Sequence, residues 1–469
     1  MNDVKNSKTS YPRVMIAGFG SGDGKTTLSL ALLSYLREKY ERVSAFKCGP
    51  DYIDPLFHGE IMGKPSKNLD PFFMEEQELR ESFCRGAKDS DMSLIEAAMG
   101  LYDGIGATSH ASAYEVAKTL CCPIILCVDA RGKGASLIPL IKGFLAADEE
   151  GLIKGLILNR ISRNFYEKIK PEIERTCKIS VLGFLPVMKE CGFSSRYLGL
   201  NLEERKNIIS KIENVKCEFL LSLDDEAFRD IANSAPELTF EGVRENKIKS
   251  LGHERSEKAP VIAVARDEAF SFYYEDNLSL LTELGAKIIY FSPLHDSALP
   301  KEADGIILGG GYPEKYAKEL SENVSMISSV RNAAEKGMPV HGECGGYMYL
   351  CKTIKTPDGE WDMCGIFLES AFYAGKSIRF GYIYLEARDE KNGRNYSLRG
   401  HEFHHYDVTE AGDFFKAKKA SEDVKYSAGR RYKNVIAGFP HIFYDSDISF
   451  AADFVKKAAE YKKEKNGTD

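Results

Sequence analysis

A glycine-rich segment between an apolar strand and a leucine-rich helix constrains the fold of this chain more than any other feature. Residues 13–18, RVMIAG, have the pattern of a buried strand, and leucines at helical spacing follow from Thr27 to Tyr40. The segment that joins them, 18–27, reads GFGSGDGKTT. A glycine-rich turn from a strand into the N-terminus of a helix is typical of a phosphate-binding loop in a parallel α/β fold.

This loop carries the groups that bind a nucleoside triphosphate. The Lys25 ammonium can reach the terminal phosphates, and the Thr26 hydroxyl can bind Mg²⁺. Phe19 occupies the first glycine position of the strict G-x4-GK spacing, whereas Gly18 gives a loop one residue longer. The strand and helix context favours nucleotide binding over a plain glycine turn. The predicted nucleotide contacts in the loop are Gly22, Gly24, Lys25, Thr26 and Thr27.

Further polar side chains are expected beside this loop, because the carboxyl ends of parallel strands converge on one ligand crevice. Lys47 ends the second predicted strand, and Glu96 ends the third. Asp51 and Glu96 are candidate Mg²⁺ ligands, since this cation takes carboxylate oxygens together with phosphate and water. The alternative is that they are solvated loop acids. Asn159 closes a later strand, where its amide could pair with adenine or simply form a turn.

Apolar strand-like runs alternate with helix-length stretches along most of the chain. This alternation predicts the α/β fold class with parallel sheets. Between Glu237 and Lys258 charge dominates and the apolar periodicity is lost, which indicates an interdomain linker. We place a first domain at 1–240, the linker at 241–258 and a second domain at 259–465. The predicted strands are 13–18, 43–48, 93–97, 123–128, 155–158 and 181–185, then 261–265, 287–291, 305–308 and 339–342.

The charge balance argues against two classes of partner. The chain has 63 lysine and arginine residues against 70 aspartate and glutamate residues, a net charge of −7. No overall positive field is therefore expected to attract nucleic acid or an anionic membrane. The N-terminal residues lack an apolar signal core, and the apolar run 121–128 is too short to span a bilayer. Eleven cysteines in 469 residues are too few for a disulfide-stapled secreted domain, so we expect a cytoplasmic protein.

A second chemical signature lies at residues 339–347, PVHGECGGY, which predict a strand, a sharp turn and the start of a helix. Cys344 occupies the tip of a G-x-C-x-G frame that can expose a nucleophile, and the helix N-terminus is expected to favour its thiolate. The alternative is a buried structural thiol. Backbone N–H groups of Gly310, Gly311 and Gly345 could stabilise an oxyanion formed by its attack.

A thiol nucleophile needs a proton acceptor, and histidine is the usual one. His441, in AGFPHIF, lies late in the second domain, well beyond the cysteine. Spacing alone does not select it. The candidates are His341, His401, His404, His405 and His441.

Eight short motifs, taken together, resemble one known family. They are FKCGPDYIDPLFH, NLDPF, MGLYDG, SSRYLGL, FSPLHD, GGGYPE, GECGGYMYL and GHEFH, in this order along nearly the whole chain. The set resembles the cobyrinate a,c-diamide synthases, glutamine-dependent amidoligases of corrin biosynthesis. The resemblance implies two three-layer α/β domains: a P-loop NTPase-like domain of the dethiobiotin synthetase type, then a class I glutamine amidotransferase-like domain.

In the first half, the resemblance implies that ATP is the nucleotide and that Mg²⁺ accompanies it. Asp103 falls in the family's substrate-side LYDG motif, which implies a part in steering the substrate's carboxylates; a turn-stabilising aspartate is the alternative. The positions that match the family's ATP and Mg²⁺ contacts are Lys25, Thr26, Lys47, Asp51 and Glu96.

In the second half, the resemblance implies that Cys344 is the nucleophile and His441 its partner. Class I domains often carry an acid two residues after this histidine, but Phe443 stands there. The family also lacks that acid, so we expect a Cys/His dyad. Pro440 before the histidine and the extra histidine in GHEFHHYD are further departures, which leave the roles of His404 and His405 open.

The two signatures together predict an ATP-dependent ligase. ATP would convert a carboxylate into an acyl phosphate, and ammonia released from L-glutamine would displace the phosphate. By resemblance, the acceptors are the a and c acetates of cobyrinate, in cobalamin biosynthesis. Nickel sirohydrochlorin and hydrogenobyrinate are alternative acceptors for the same chemistry. For the assembly, a homodimer is considered. A P-loop ATPase switch of the partitioning type is the alternative from another class, although the loop lacks that group's additional lysine.

Overall fold

The chain forms two compact units, Met1–Val243 and Arg244–Asp469. The structure is a computed structural model that describes residues 11–188, 202–252, 256, 258–390 and 393–467. The SSRYLGL motif, 194–200, lies outside the described residues. Part of the predicted linker forms a helix, Val243–Ser250, whose buried Arg244 forms ion pairs with Asp445 and Asp276 of the second unit. No helix in the described ranges is both long enough and apolar enough to cross a bilayer.

The first unit is built on a parallel sheet. Its strands have the order β3-β2-β4-β1-β5-β6-β7 in the described part of the chain. They are β1 (Arg13–Gly18), β2 (Val43–Cys48), β3 (Lys67–Leu69), β4 (Met92–Glu96), β5 (Ile124–Asp129), β6 (Ile153–Asn159) and β7 (Ser180–Leu185). The helices are α1 (Lys25–Lys39), α2 (Ile53–Met62), α3 (Glu76–Gly86), α4 (Ala113–Thr119), α5 (Leu137–Ala147), α6 (Arg163–Cys177), α7 (Leu202–Leu220) and α8 (Asp225–Asn233).

Strand β1 lies in the middle of this sheet and is buried along its whole length. It pairs in parallel with β4 on one side and β5 on the other. Leucines of α1 pack on one face of the sheet together with apolar residues of α7 and α8. The glycine-rich loop therefore leaves the sheet at its centre, with the carboxyl ends of β2, β4 and β6 along the same edge.

The second unit combines one largely parallel sheet with two further sheets. Helix α9 (Val243–Ser250) precedes β8 (Val261–Ala265), α10 (Glu275–Glu283), β9 (Lys287–Phe291), β10 (Gly305–Leu308), α11 (Ala317–Glu322), α12 (Val324–Glu335), β11 (Val340–Glu343) and α13 (Gly345–Leu350). Then follow β12 (Thr353–Thr356), β13 (Gly359–Asp362), β14 (Ser370–Tyr373), β15 (Arg379–Asp389), β16 (Arg394–His404), β17 (Tyr406–Val408), β18 (Phe415–Lys419), β19 (Lys425–Ala428), β20 (Arg430–Tyr432), β21 (Val435–Gly438), β22 (His441–Phe443) and α14 (Ile448–Gly467).

The predicted α/β fold class is confirmed by these sheets. In the described residues of the second unit the largest sheet has the order β20-β21-β11-β10-β8-β9 and is parallel except for β20. An antiparallel sheet, β19-β18-β15-β16-β22, and a smaller mixed sheet, β13-β12-β14-β17, were not predicted. Strand β11 leads into α13 through Cys344, and β22 begins at His441. Both elements of the predicted thiol site thus come from neighbouring parts of one unit.

Candidate functional site

The turn into α1 requires glycine at position 24. Gly24 is the N-cap residue and has φ 95°, a left-handed conformation that side chains disfavour. A methyl group on its Cα would lie 2.1 Å from Nδ2 of Asn159. The close packing against the end of β6 therefore excludes any larger residue, and the loop keeps its backbone N–H groups at the start of the helix.

Lys25 lies folded back over the loop. Its Nζ donates a hydrogen bond to the carbonyl of Gly20 at 2.8 Å, and the N–H of Gly20 donates to Oδ2 of Asp23 at 2.9 Å. Burial, followed by the positive charge of Lys47, lowers the pKa of Lys25. A phosphate oxygen would form a stronger hydrogen bond with this ammonium than the Gly20 carbonyl does, because the phosphate is an anion and the carbonyl is neutral.

Asn159 braces the loop in this structure. Its Nδ2 donates to the carbonyl of Asp23 at 2.7 Å, and its Oδ1 accepts the N–H of Arg160 at 2.9 Å. The Arg160 guanidinium, which was not singled out from the sequence, donates to the carbonyl of Gly22 and forms an ion pair with Asp129, both through Nη1. The adenine contact of Asn159 stays a prediction.

Glu96 is the centre of a buried polar cluster behind the loop. Its Oε1 accepts the hydroxyl of Thr26 at 2.6 Å and lies 2.9 Å from Nζ of Lys47. Its Oε2 lies 2.9 Å from Nε2 of His58. Burial alone would raise the pKa of Glu96, but the Lys47 ammonium and the contacts with His58 and Thr26 lower it well below its usual range. Glu96 is therefore a carboxylate.

Lys47 also contacts the two aspartates that follow its strand. Its Nζ lies 2.5 Å from Asp54 and 3.9 Å from Asp51. Oδ1 of Asp51 accepts the N–H groups of Ile53 and Asp54, so this side chain also caps the start of α2. Burial and the neighbouring Glu96 charge raise the pKa of Asp54, whereas the surrounding acids raise that of Lys47 despite its burial. Asp54 was missed, although it lies three residues after Asp51 in the same motif.

The oxygen donors of this cluster fit the chemistry of Mg²⁺. The Thr26 hydroxyl and the carboxylates of Asp51, Asp54 and Glu96 are hard ligands of the kind that this ion takes beside a nucleotide. Within the described ranges, no three His, Cys, Asp or Glu side chains are already arranged around a common metal position. The assignment of Thr26, Asp51 and Glu96 as Mg²⁺ ligands stays a prediction.

Asp103 lies on the surface in the turn that follows β4. Its Oδ2 accepts the N–H of Gly100 at 2.8 Å, and its own N–H donates to the Gly100 carbonyl. This contact is the turn-stabilising role weighed from the sequence. The side chain is also exposed, so it remains accessible to a substrate, and its catalytic role stays a prediction.

Cys344 occupies a strained turn between β11 and α13. Its backbone has φ 50° and ψ −106°, which is rare for a residue other than glycine. Its N–H donates to the carbonyl of Gly438 at 2.8 Å, which anchors the turn to β21. Strain of this kind is typical of nucleophile elbows, where it aims the side chain away from the sheet.

The expectation that the helix N-terminus favours the Cys344 thiolate is wrong for the resting protein. Burial, aided by the charges of Glu314, Glu343 and Glu402, raises the pKa of this thiol to about 12. The N–H of Gly345 has the opposite effect but is outweighed. Cys344 is therefore a thiol at neutral pH and must give its proton to a base when it attacks.

The predicted oxyanion glycines and His441 lie together. A methyl group on Gly310 would lie 2.2 Å from Cε1 of His441, and one on Gly345 would lie 3.1 Å from the amide nitrogen of Gly311. Gly346 donates to the carbonyl of Gly309, which joins α13 to this loop. Burial lowers the pKa of His441, and Glu343 opposes the effect. The imidazole is thus neutral and suited to accept a proton.

The other buried histidines have different surroundings. His401 faces His441 across the β16–β22 pair, and burial, with the neighbouring His441, lowers its pKa to about 3. His404 stacks on Phe439 with ring centres 4.0 Å apart, and burial lowers its pKa to about 4. His405 is exposed. These environments favour His441 as the base.

Two family models match this chain, one in each half. The model for the CobQ/CobB/MinD/ParA nucleotide binding domain matches residues 14–196, which include the glycine-rich loop. The model for the CobB/CobQ-like glutamine amidotransferase domain matches residues 261–448, which include Cys344 and His441. The two matches fall on the two compact units of the structure.

Several proteins named cobyrinate a,c-diamide synthase are similar to this chain over nearly its full length. The one from Caldanaerobacter subterraneus is 39% identical over 91% of this chain and 94% of its own. The protein from Clostridium tetani is 37% identical over 95% of this chain and 99% of its own. That from Methanothermobacter thermautotrophicus is 37% identical over 96% of this chain and 100% of its own. The chain therefore belongs to the cobyrinate a,c-diamide synthase family.

Proposed function

We propose that this protein uses ATP and glutamine to convert the a and c acetate carboxylates of cobyrinate into amides, as a step of cobalamin biosynthesis. The observation that carries the proposal is the thiol elbow of Cys344, with His441 and the glycine loop beside it, in a chain that also holds a phosphate loop. A thiol site or a phosphate loop can each work in a protein that lacks the other, so their presence in one chain points to a coupled reaction. Together they form the two halves of a glutamine-hydrolysing carbon–nitrogen ligase.

The glutaminase half begins with a proton transfer. His441 takes the proton from Sγ of Cys344, and the sulfur attacks the side-chain carboxamide carbon of glutamine. The oxyanion formed there accepts hydrogen bonds from the backbone N–H groups of Gly310, Gly311 and Gly345. His441 returns the proton to the leaving nitrogen, so ammonia departs and a thioester remains. Water then hydrolyses the thioester to glutamate and restores the thiol.

The ligase half activates the acceptor. A carboxylate oxygen of the ring attacks the γ-phosphorus of ATP, the bond to the bridging oxygen breaks, and ADP leaves. Lys25 and Lys47 would neutralise charge that spreads over the phosphoryl oxygens. Mg²⁺, held by Thr26 with Asp51 and Glu96, would supply further neutralisation when bound. Ammonia attacks the acyl carbon, inorganic phosphate leaves, and the amide forms with release of a proton.

Several further assignments belong to this proposal. The nucleotide is ATP with Mg²⁺, the domains are 1–240 and 259–465 with a linker at 241–258, and a homodimer is the one assembly considered. We propose the cytoplasm as the compartment, because eleven scattered cysteines suit a reducing environment.

The stoichiometry of the reaction tests the substrate. One nucleotide site and one thiol site must act twice to make a diamide, so we expect two ATP and two glutamine consumed per ring. Purified protein with Mg²⁺, ATP, glutamine and each candidate tetrapyrrole, followed by product mass and ADP release, gives the answer. Cobyrinate should gain two amides. Amidation of only nickel sirohydrochlorin or hydrogenobyrinate would contradict the substrate assignment, and ATP and glutamine use without any ring product would do so too.

Asp103→Ala should lower the yield of diamide by about tenfold while changing nucleotide affinity little, because this side chain is exposed beyond the phosphate loop. Asp103→Asn is the matched variant, since its amide oxygen can still accept the Gly100 N–H while the charge is lost. Loss of yield with both variants supports a role for the charge in steering the substrate. Full yield from Asp103→Asn would leave only the turn-stabilising role.

A further inference from the structure

We infer that Glu343 is the positioning residue for the base His441, in place of the acid that the sequence lacks two residues after this histidine. The inference rests on the proposed glutaminase role of Cys344 and His441. It assigns a third member to what the sequence predicted as a Cys/His dyad. The acid comes from the residue before the nucleophile rather than from the strand of the base.

In this chain the position where class I domains often carry the acid, two residues after His441, is occupied by an apolar side chain. Phe443 stands two residues after His441, is almost fully buried and packs edge-on against Tyr274, with ring centres 5.6 Å apart. No carboxylate can reach the imidazole from that position. A neutral buried imidazole without an acid would have to hold the proton from Cys344 unaided, which is costly in apolar surroundings.

Glu343 reaches His441 from the end of β11, which belongs to a different sheet from β22. Its Oε2 lies 3.7 Å from Nδ1 of His441, and its Oε1 accepts the N–H of Ile442 at 3.1 Å. One carboxylate therefore holds the backbone next to the base and also faces its ring. Glu343 is only 6% exposed, so little water screens the interaction.

The same carboxylate has a second histidine partner. His341 lies two residues earlier on β11 and points to the same side of the strand, and its Nε2 is 3.2 Å from Oε1 of Glu343. The His341 ring packs edge-on against Tyr444 and Phe450. With Ile442 and His341 both on Oε1, the other oxygen stays directed toward His441.

This geometry determines what the base can do. With Nδ1 facing a carboxylate, the favoured tautomer of neutral His441 carries its proton there and leaves Nε2 to accept the proton of Cys344. At 3.7 Å the two atoms are within ion-pair distance but too far apart for a hydrogen bond. The attraction between Glu343 and His441 is therefore strongest when the imidazolium forms. Glu343 would thus stabilise the imidazolium and matter little for glutamine binding. Its charge also raises the pKa of Cys344, but this opposition ends once the sulfur is bonded to the substrate carbon, whereas the imidazolium lasts until it protonates the leaving nitrogen.

Other ionisable groups surround the pair and set the background of any pH profile. His401 and His404 lie near His441, and burial together with the charge that His441 carries when protonated lowers the pKa of each, to about 3 and about 4, so both are neutral at neutral pH. Among the described residues, the ionisable groups that face Glu343, His441 or Cys344 include His341, His401, His404, Tyr273, Tyr444, Glu314 and Glu402. All of these side chains remain in a Glu343 variant, and a Glu343→Asp variant, which keeps the charge, tests whether a shift in the profile comes from the carboxylate.

Glu343→Gln in the full-length protein tests the inference. The amide keeps the size of the side chain and an oxygen for the Ile442 N–H but removes the charge. We expect kcat for glutamine hydrolysis to fall by about 100-fold and KM for glutamine to change by less than about threefold. The charge now raises the pKa of His441, so its loss should move the acid limb of the kcat/KM profile to lower pH. A purely structural role would leave that limb in place.

Three comparisons keep the test decisive. Glu343→Asp keeps the charge and should return the acid limb toward its original position. Asp453→Asn, which neutralises a buried carboxylate bonded to Tyr396 and Arg394 in the same unit, should leave the limb unchanged. Ammonium-driven synthesis should persist in every variant. An unchanged kcat and limb in Glu343→Gln would overturn this inference alone, whereas full glutamine hydrolysis by Cys344→Ala would overturn the proposed function itself.

Discussion

Cys344→Ala is expected to lower glutamine-driven amide synthesis by about 10⁴-fold and to leave ammonium-driven synthesis intact. The thiol is the only group that forms the covalent intermediate with glutamine in the proposed mechanism, so nothing can replace it. Free ammonia from a concentrated ammonium salt enters the reaction after that step. Both rates are measured as amide product by mass, with glutamate release as a separate readout.

Cys351→Ala is the matched control for this change. Cys351 is a fully buried free thiol at the other end of α13, where the charged side chains that affect its pKa are Glu369 and Arg430. The variant should keep glutamine-driven synthesis. If Cys344→Ala lost the ammonium-driven reaction as well, while remaining folded, the division of labour between the thiol site and the nucleotide site would be wrong.

The parallel strands could be predicted from the sequence because strands that are buried on both faces are continuous apolar runs. β1, β2 and β8 have the predicted bounds, and β4 differs by one residue at each end. β3, Lys67–Leu69, was missed because three residues give no run that stands out. The position of the glycine-rich loop followed directly, since a correct β1 fixes where the loop leaves the sheet.

The antiparallel strands of the second unit were harder to predict. β15 alternates between buried and exposed residues along much of its length, so its sequence has no apolar run. The GHEFH motif supports the family resemblance, but the sequence did not predict that it lies on β16 beside β22. The alternation of apolar and polar residues in YIYLEARD is the sequence signal that indicates this strand, and it differs from the continuous apolar runs that mark the parallel strands.

The site residues also divide into those that a local sequence pattern predicts and those that depend on contacts between distant elements. Lys25 and Cys344 could be found because each depends on a local turn whose chemistry the sequence displays. Glu343 and His58 could not, because their partners lie on other elements and depend on strand register. The pKa of Cys344 is a further example, since it is raised by burial and by acids from three different segments, which a local argument about a helix end cannot weigh.

Lys25→Ala is expected to lower amide synthesis by about 10³-fold with glutamine and with ammonium alike. Both nitrogen sources need the acyl phosphate, and Lys25 is buried at the loop, 2.8 Å from the Gly20 carbonyl, where the phosphates would lie. Its removal leaves the charge on the transferred phosphoryl group without this partner. Basal glutamine hydrolysis at Cys344 should continue, because that step consumes no nucleotide. ADP release, amide product and nucleotide affinity are the three measurements.

Lys39→Ala separates the effect of this charge from damage to the helix. Lys39 lies in the last turn of α1, partly exposed, and pairs there with Asp225. A surface ion pair contributes little to stability, so nucleotide affinity and synthesis should be unchanged. Normal nucleotide affinity and synthesis in Lys25→Ala would mean that the phosphates bind elsewhere, and the assignment of residues 18–27 would have to be withdrawn. Loss with Lys25→Ala alone, against a fully active Lys39→Ala, places the transferred phosphate at the N-terminus of α1.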